Sequence, residues 1–166
     1  MKTIFPLIMT FALTFGLTGC KSDDDDVDFD TIGIVYELRN QNFEWTGDSY
    51  QISRTFNNPL YDSDVLLIYK QIGNTNNGAP IWQQIPITFY LNDGHEVDYN
   101  FDFSKFDFVI YAGGTFDLTG SSYITNQTFR VVAVPAAFGK NPNVDLSDYN
   151  SVISFYNIDD SNPAEL

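Results

Sequence analysis

The amino-acid sequence predicts an all-β domain, an antiparallel β-sandwich of about seven strands with a short C-terminal helix. Short segments rich in valine, isoleucine, phenylalanine, tyrosine and threonine recur along the chain, and clusters of asparagine, aspartate, glycine and proline separate them. Apolar residues make up 43% of the 166 residues and charged residues only 18%, a composition that excludes a disordered chain. The length favours a single domain.

The first element is an N-terminal apolar segment. Lys2 precedes residues 4–17, which are predominantly apolar. This run has the length of a signal-peptide core, which typically spans about 7–15 residues. It is shorter than the roughly 20 residues that a helix needs to cross a bilayer. Residues 1–19 are therefore predicted to form a signal peptide.

The apolar run ends in Leu17, Thr18, Gly19 and Cys20, and this sequence resembles the bacterial lipobox. In a lipobox, small residues precede a cysteine whose thiol receives a diacylglyceryl group before cleavage on its N-terminal side. The resemblance implies that Cys20 is lipidated and that its acyl chains anchor the protein at a membrane surface. The alternative is an ordinary buried cysteine. Because Cys20 is the single cysteine, an intrachain disulfide is excluded and the domain must depend on its core.

An acidic segment follows directly, and residues 20–31 are predicted to be a lipidated acidic linker. Its first part consists of Lys21, Ser22, Asp23, Asp24, Asp25 and Asp26. Such a run is typical of a solvated, self-repelling tether. It also resembles the surface-export signal of Bacteroidota lipoproteins, in which a lysine or serine and then acidic residues follow the lipidated cysteine. This second resemblance implies an outer-membrane location facing the cell exterior.

Two further features concern modification and partners. Asp30, Thr31 and Ile32 resemble the short motif at which Bacteroidota O-glycosylate exported proteins, which makes Thr31 a candidate glycosylation site. The chain has 22 acidic and 8 basic residues and a formal net charge of −14. Nucleic acid is bound largely through lysine and arginine, so it is not expected as a partner. Anionic lipid is equally disfavoured, and contact with a membrane is expected through the lipid anchor.

The β-sandwich domain is predicted over residues 32–158, with residues 159–166 as a flexible tail. Composition and turn residues predict strands at 32–38, 50–57, 64–70, 81–91, 96–103, 107–112 and 129–135. After Pro142 the pattern changes. Tyr149, Val152, Ile153 and Tyr156 have the i, i+3, i+4, i+7 spacing of an amphipathic helix, behind Ser147 as the N-cap. A strand over residues 152–158 is the alternative.

The pairing register of two predicted strands determines the loop of one hairpin in detail. A two-residue turn would place Phe89 opposite Asp98 and mix apolar with acidic residues on one face. A three-residue loop at 92–94 instead places Phe89 opposite Val97, and a one-residue slip reverses every side chain. The loop is therefore predicted, with Gly94 in the left-handed position of a bulge. The same register pairs Leu91 with His95, Ile87 with Tyr99 and Ile85 with Phe101.

The opposite face of this hairpin carries the candidate binding residues. Glu96, Asp98 and Asp102 form an acidic ladder beside Trp82 and Tyr90. Carboxylates are ligands of calcium, but no EF-hand loop occurs, so the three acids are only weak metal candidates. Aromatic faces stack on sugar rings, which makes Trp45, Trp82 and Tyr90 candidate glycan contacts. The alternative is that the tryptophans cap the core.

The catalytic motifs are absent from the sequence. His95 is the single histidine, so neither a zinc site nor a serine-histidine-aspartate triad has its usual residues. Asp98 and Asp102 lie about 13 Å apart along a strand. Glycosidases need carboxylates roughly 5–9.5 Å apart, and only the spacing of Glu96 and Asp98 fits that range. We therefore expect no catalytic residue, no cofactor and no enzymatic activity.

Residues 62–69, Trp82 with residues 85–86, and residues 129–135 are similar to a group of small flavobacterial lipoproteins of unknown function. The likeness covers most of residues 32–158, but its motifs are core patterns. It implies an organism class and no activity. The sequence thus predicts an exported, lipid-anchored surface protein with a non-catalytic binding role, for a glycan or an envelope protein. The alternative is a structural or assembly component of the outer membrane.

Overall fold

The computed structural model describes residues 33–135 and 144–166, which form two antiparallel sheets and one helix. Sheet A has the strand order β1-β9-β4-β5, and sheet B has the order β2-β3-β8-β7-β6. The elements are β1 (Ile34–Gln41), β2 (Glu44–Trp45), β3 (Tyr50–Thr55), β4 (Asp64–Asn74), β5 (Pro80–Gln84), β6 (Ile87–Tyr90), β7 (Glu96–Phe103), β8 (Asp107–Gly114), β9 (Gln127–Pro135) and α1 (Tyr149–Phe155). The predicted all-β sandwich with a short C-terminal helix is confirmed.

The main core lies between the two sheets, because alternate side chains of each strand point inward. Sheet A contributes residues of β4 and β9, and sheet B contributes residues of β7 and β8. Among the buried members are Leu66, Ile68, Phe129, Val131, Val97, Tyr99, Phe108 and Ile110. The described chain thus has the two-layer arrangement that alternating strands favour.

A second core covers the outer face of sheet A. There Leu67, Tyr69 and Val132 pack against Tyr149 and Val152 of α1. The central strands β4 and β9 are therefore buried on both faces over part of their length, which explains the uninterrupted apolar runs at residues 65–69 and 131–134. Sheet A is the inner layer of the molecule, and sheet B has one face open to solvent.

The predicted strand over residues 81–91 is wrong as a single element. The chain leaves sheet A at Ile85, whose N–H donates to Ile68 O at 2.9 Å, and enters sheet B at Ile87, which pairs with Tyr99. Pro86 stands between them, and a proline cannot donate to a sheet ladder. The segment is consequently two strands, β5 and β6, that belong to different sheets.

The predicted hairpin register is confirmed within sheet B. Phe89 pairs with Val97, and Leu91 N–H donates to His95 O at 2.8 Å across the three-residue loop. Gly94 has φ +84°, in the left-handed region. The pairing of Ile85 with Phe101 is wrong, because Ile85 has already crossed to sheet A.

The helix starts one residue later than its predicted cap suggests. Asp148 is the N-cap, and its carboxylate accepts the Asn150 N–H at 3.1 Å. Ser147, the predicted N-cap, instead donates its hydroxyl to Asp145 at 2.7 Å. Aspartate and serine are both good N-caps, so the sequence pattern alone does not separate them. The alternative of a strand over residues 152–158 is excluded by α1.

The prediction of a flexible tail at residues 159–166 requires correction. Ala164 forms a bridge with β1, accepting from Glu37 N–H at 3.2 Å and donating to Val35 O at 2.9 Å. Leu166 packs against the main core. The segment thus covers the outer edge of β1, which protects an otherwise unpaired edge strand.

The predictions for the N-terminal segment lie outside the described residues. These are the signal peptide, lipidation of Cys20, the export signal from Lys21 to Asp26 and glycosylation of Thr31. In the part of the chain that the structure describes, no helix is long and apolar enough to cross a membrane.

Candidate functional site

The three predicted aromatic residues lie in three separate places. Trp82 is half-buried beneath α1, with its ring centroid 5.7 Å from that of Tyr149 and 4.8 Å from the Arg130 guanidinium carbon. It therefore packs the helix against sheet A, as the core-capping alternative has it. Tyr90 is 78% exposed on the outer face of β6. Trp45 belongs to β2, and β2 and β6 are the opposite edges of sheet B.

Trp45 is fixed by a tight hairpin. It pairs with Tyr50 across β2 and β3, and Thr46 N–H donates to Ser49 O at 3.0 Å to close the loop. Thr46 also donates its hydroxyl to Asp48 at 2.9 Å, while Gly47 supplies the positive φ of +105° that the turn requires. Cross-strand aromatic pairs stabilise such hairpins. The indole is thus held at a defined position although the strand is only two residues long.

The Trp45 and Tyr50 rings together form an exposed aromatic surface. Their centroids are 5.1 Å apart, and Trp45 is 58% exposed. Tyr50 is partly buried against the main core, which anchors the pair. A shallow cavity of about 470 Å³ opens beside them. This Trp45 cavity is lined by Trp45, Tyr50, Asp117, Thr119, Gly120 and Ile124.

Polar groups at the rim of the Trp45 cavity have fixed orientations. The Tyr50 hydroxyl and the Thr119 hydroxyl lie 2.7 Å apart, and Thr119 N–H donates to an Asp117 carboxylate oxygen at 2.9 Å. Hydrogen bonds from Thr119 lower the pKa of Asp117 below its usual value, so Asp117 is ionised at neutral pH. Leu118 is buried in the main core and holds both neighbours at the surface. The cavity therefore presents an apolar wall, two hydroxyls and one carboxylate.

Two of the three acids of the ladder have their own local contacts. The Asp98 carboxylate lies across Gly113 of β8, where a Cβ atom would meet its Oδ1 at 2.9 Å. Asp102 accepts the Tyr111 hydroxyl at 2.8 Å. Among the described residues, no group of three or more histidine, cysteine, aspartate or glutamate side chains is placed to hold a metal ion. The ladder is a solvated strand face with local partners.

His95 has surroundings that explain its position beside the loop. Its Nδ1 lies 3.3 Å from the Thr115 hydroxyl, and its ring centroid is 5.0 Å from that of Phe116. These contacts attach the hairpin end to the segment after β8. The histidine thus has a packing role in the described structure.

Most residues of the Trp45 cavity were not predicted from the sequence. Trp45 was predicted as a binding residue but Tyr50 was not, although its place at the start of a predicted strand supports a hairpin between the two. Asp117 and Thr119 lie in a loop without a motif. Thr119 contacts Tyr50 over a separation of 69 residues, and only the folded sandwich brings the two together.

No family model, curated protein or solved structure matches the chain.

Proposed function

We propose that this protein is a lipid-anchored protein of the outer membrane, displayed toward the cell exterior, that binds a neutral glycan in the Trp45 cavity. The observation that carries the binding role is the exposed Trp45–Tyr50 pair beside oriented polar groups. Sugar rings have an apolar face of C–H groups that stacks on an aromatic ring, and hydroxyls that need donors and acceptors. Ligand sites in general combine apolar walls with a few convergent polar groups.

The charge of the site favours a neutral sugar. The ionised Asp117 carboxylate can accept hydrogen bonds from sugar hydroxyls, and bonds to an ionised acceptor are stronger than neutral ones. The same carboxylate repels an acidic sugar at short range. The net charge of −14 acts in the same direction at longer range. Uronic-acid or sulfated polysaccharides are therefore disfavoured.

The sequence before the domain supports display at the cell surface. The lipobox resemblance at Cys20 implies an anchor, and the segment from Lys21 to Asp26, with its four aspartates, resembles an export signal. Residues 20–31, when extended, span at most about 40 Å. Such a linker allows the domain to stand clear of lipid headgroups while remaining attached.

Binding to soluble polysaccharides tests the glycan proposal. The full-length protein in detergent is run through native gels that contain a neutral β-glucan, mannan or xylan, and retardation is measured. We expect retardation by at least one of the three, and at least tenfold weaker binding for Trp45→Ala. Tyr90→Ala is the matched control, because it removes an exposed aromatic residue outside the cavity. Absence of retardation by all three polysaccharides, or equal retardation of the Trp45 variant and the wild type, would contradict the proposal.

A further inference from the structure

A lysine side chain lies inside the sandwich, at the end of the main core. Lys70 follows Leu66 and Ile68 at alternate positions of β4, so its side chain points toward sheet B. It is only 8% exposed. Lysine is seldom buried to this extent unless it is paired.

The ammonium group of Lys70 is held by neutral neighbours. It donates to the Gln127 side-chain oxygen and lies 4.8 Å from the Tyr99 ring centroid and 5.6 Å from that of Phe129. The Gln127 amide nitrogen donates to Ser122 O at 2.7 Å and to Thr125 O at 2.6 Å. These two bonds fix the glutamine so that its oxygen faces the lysine.

The charge of Lys70 has no counter-charge in the part of the chain that the structure describes. None of the ion pairs formed there includes Lys70. An ammonium group has three donors, and Gln127 accepts from one of them. Burial lowers the pKa of Lys70 to about 8, so the group remains largely protonated at pH 7. A buried charge with so little compensation is unfavourable unless a further partner binds.

A cavity of about 300 Å³ opens beside this lysine. Lys70 and Gln127 are among its polar lining residues, and Ile72, Phe89, Tyr99 and Tyr123 supply apolar surface. Among its lining residues there is no carboxylate, although the chain as a whole has a formal net charge of −14. We refer to this space as the Lys70 cavity.

We propose that the Lys70 cavity binds a small organic monocarboxylate with an apolar or aromatic body. The carboxylate would accept from the remaining donors of Lys70 and neutralise its charge. The apolar body would pack against the walls around Phe89 and Tyr123. A monoanion matches the single cation, whereas a phosphate dianion would bury an uncompensated negative charge.

The other titratable groups at the Lys70 cavity are phenols. The Tyr99 hydroxyl donates to Tyr123 O at 2.7 Å, and burial raises the pKa of Tyr99. Tyr99 is therefore neutral at physiological pH and does not compete for the carboxylate. Tyr123 is the second phenol of the lining. Lys70 is consequently the group whose charge decides between an anionic ligand and a neutral one.

Calorimetric titration of the full-length protein in detergent tests this assignment. The probes are phenylacetate and hexanoate, each compared with its neutral amide of the same size. We expect at least one carboxylate to bind the wild type at pH 7 at least tenfold more tightly than its amide. Lys70→Met should abolish this preference. Lys105→Met is the matched control, because Lys105 is exposed and pairs with Asp62.

A pH series on the wild type gives a second test that needs no variant. Carboxylate affinity should fall as the pH rises through and above about 8, where Lys70 loses its proton, while amide affinity stays constant. The proposal is overturned if neither carboxylate binds, if the amides bind equally well, or if Lys70→Met keeps the preference. A carboxylate affinity that does not change up to pH 10 would overturn it as well.

Discussion

At the residue scale, Lys70 occupies a core position of β4 that an apolar side chain would fill at lower cost. Leu66 and Ile68 precede it on the same face, and Phe129 of β9 is its cross-strand partner. Local departures from the apolar pattern in a folded core are typical of functional positions. The pH dependence of the free energy of unfolding should therefore include a contribution from this buried amine.

We expect the contribution of Lys70 to the free energy of unfolding to rise between pH 8 and pH 10. Burial lowers the pKa of Lys70 from 10.5 to about 8, so in this window the unfolded chain binds a proton that the folded chain has lost. One pKa unit corresponds to about 1.4 kcal/mol, and the rise should therefore be of the order of 2 kcal/mol. Tyrosines of the unfolded chain begin to ionise near pH 9, and because burial raises the pKa of Tyr69, Tyr99 and Tyr149 in the folded chain, their ionisation lowers the stability toward pH 10. The Lys70 contribution is therefore measured as the difference between the wild type and Lys70→Met.

Urea denaturation at pH 7, 8, 9 and 10 measures this rise. Lys70→Met should be more stable than the wild type at pH 7 and should lose the Lys70 contribution to the pH dependence. Lys105→Met, at an exposed position, should keep the wild-type profile. Parallel profiles for the wild type and Lys70→Met would show that the amine is not desolvated in the folded state.

Gly94 is a second residue whose role can be isolated. Its φ is +84°, and a Cβ atom at this position would have no heavy atom within 4 Å, so a side chain there has room but a strained backbone. Gly94→Val should destabilise by about 1–3 kcal/mol, and Gly94→Asn by less, because asparagine tolerates the left-handed region. Gly73→Val is the control, since Gly73 also has open space but no positive φ. Thermal melting distinguishes the three, and equal melting temperatures for the two Gly94 variants would contradict the prediction.

The conformation of a residue could be predicted from the sequence where residues close to it in the chain determine that conformation. The left-handed conformation of Gly94 could be predicted from the register of one hairpin, because its apolar residues had to share a face. The burial of Lys70 could not be predicted, although its spacing from Leu66 and Ile68 is visible in the sequence. The groups that surround its ammonium come from far along the chain, since β7 supplies Tyr99 and β9 supplies Gln127 and Phe129.

At the element scale, the attachment of α1 and the C-terminal segment depends on Arg130. Its Nε donates to Glu37 of β1 at 2.8 Å, and its Nη1 donates to Asp160 at 2.6 Å. Burial raises the pKa of Glu37, but hydrogen bonds and charges from Arg130 and Arg39 outweigh burial and lower it. The carboxylate therefore contributes stability at neutral pH, and this contribution is lost as the pH falls below about 4.5.

Arg130→Met and Arg39→Met form a matched pair, because both arginines contact Glu37. The side chain of Arg130 is 12% exposed and that of Arg39 is 70% exposed. Removing one partner of a buried ion pair costs about 3–5 kcal/mol, whereas an exposed pair contributes about 0–1 kcal/mol. We expect these ranges for the two variants by urea denaturation at pH 7. Similar losses for both would show that solvent screens the Glu37–Arg130 pair.

Elements were predicted correctly where a patterned segment stays within one helix or one sheet. The apolar stripe of α1 lies within one short segment, so the i, i+3, i+4, i+7 spacing of its residues was sufficient to predict the helix. The segment over residues 81–91 keeps one alternation on both sides of Pro86, and this pattern contains no sign that β5 and β6 belong to different sheets. Placing Trp82 beside Tyr90 was the consequence of that error.

At the scale of the whole molecule, the two proposed sites depend on contacts between distant segments. Tyr50 and Thr119 meet at the Trp45 cavity over 69 residues, and Lys70 and Gln127 meet over 57 residues. Strand composition predicts the layers of a sandwich, but it leaves open which loops converge at their ends. For this reason the fold class was predictable from the sequence, whereas the binding groups other than Trp45 were not.

The proposed display at the cell surface can be tested at the acidic segment. Replacing Asp23, Asp24, Asp25 and Asp26 with alanine should keep the chain lipidated, because the sequence before Cys20 that resembles a lipobox is unchanged. The variant should lose the export signal and remain on the periplasmic leaflet. Protease accessibility of intact cells measures this: we expect the wild type to be cleaved and the variant to be at least tenfold more resistant until the cells are lysed. Cys20→Ala is the control for anchoring, and it should accumulate as an unprocessed, non-acylated chain. Equal cleavage of the wild type and the alanine variant on intact cells would leave the acidic run as a tether alone, since a self-repelling linker needs no transport machinery to recognise it.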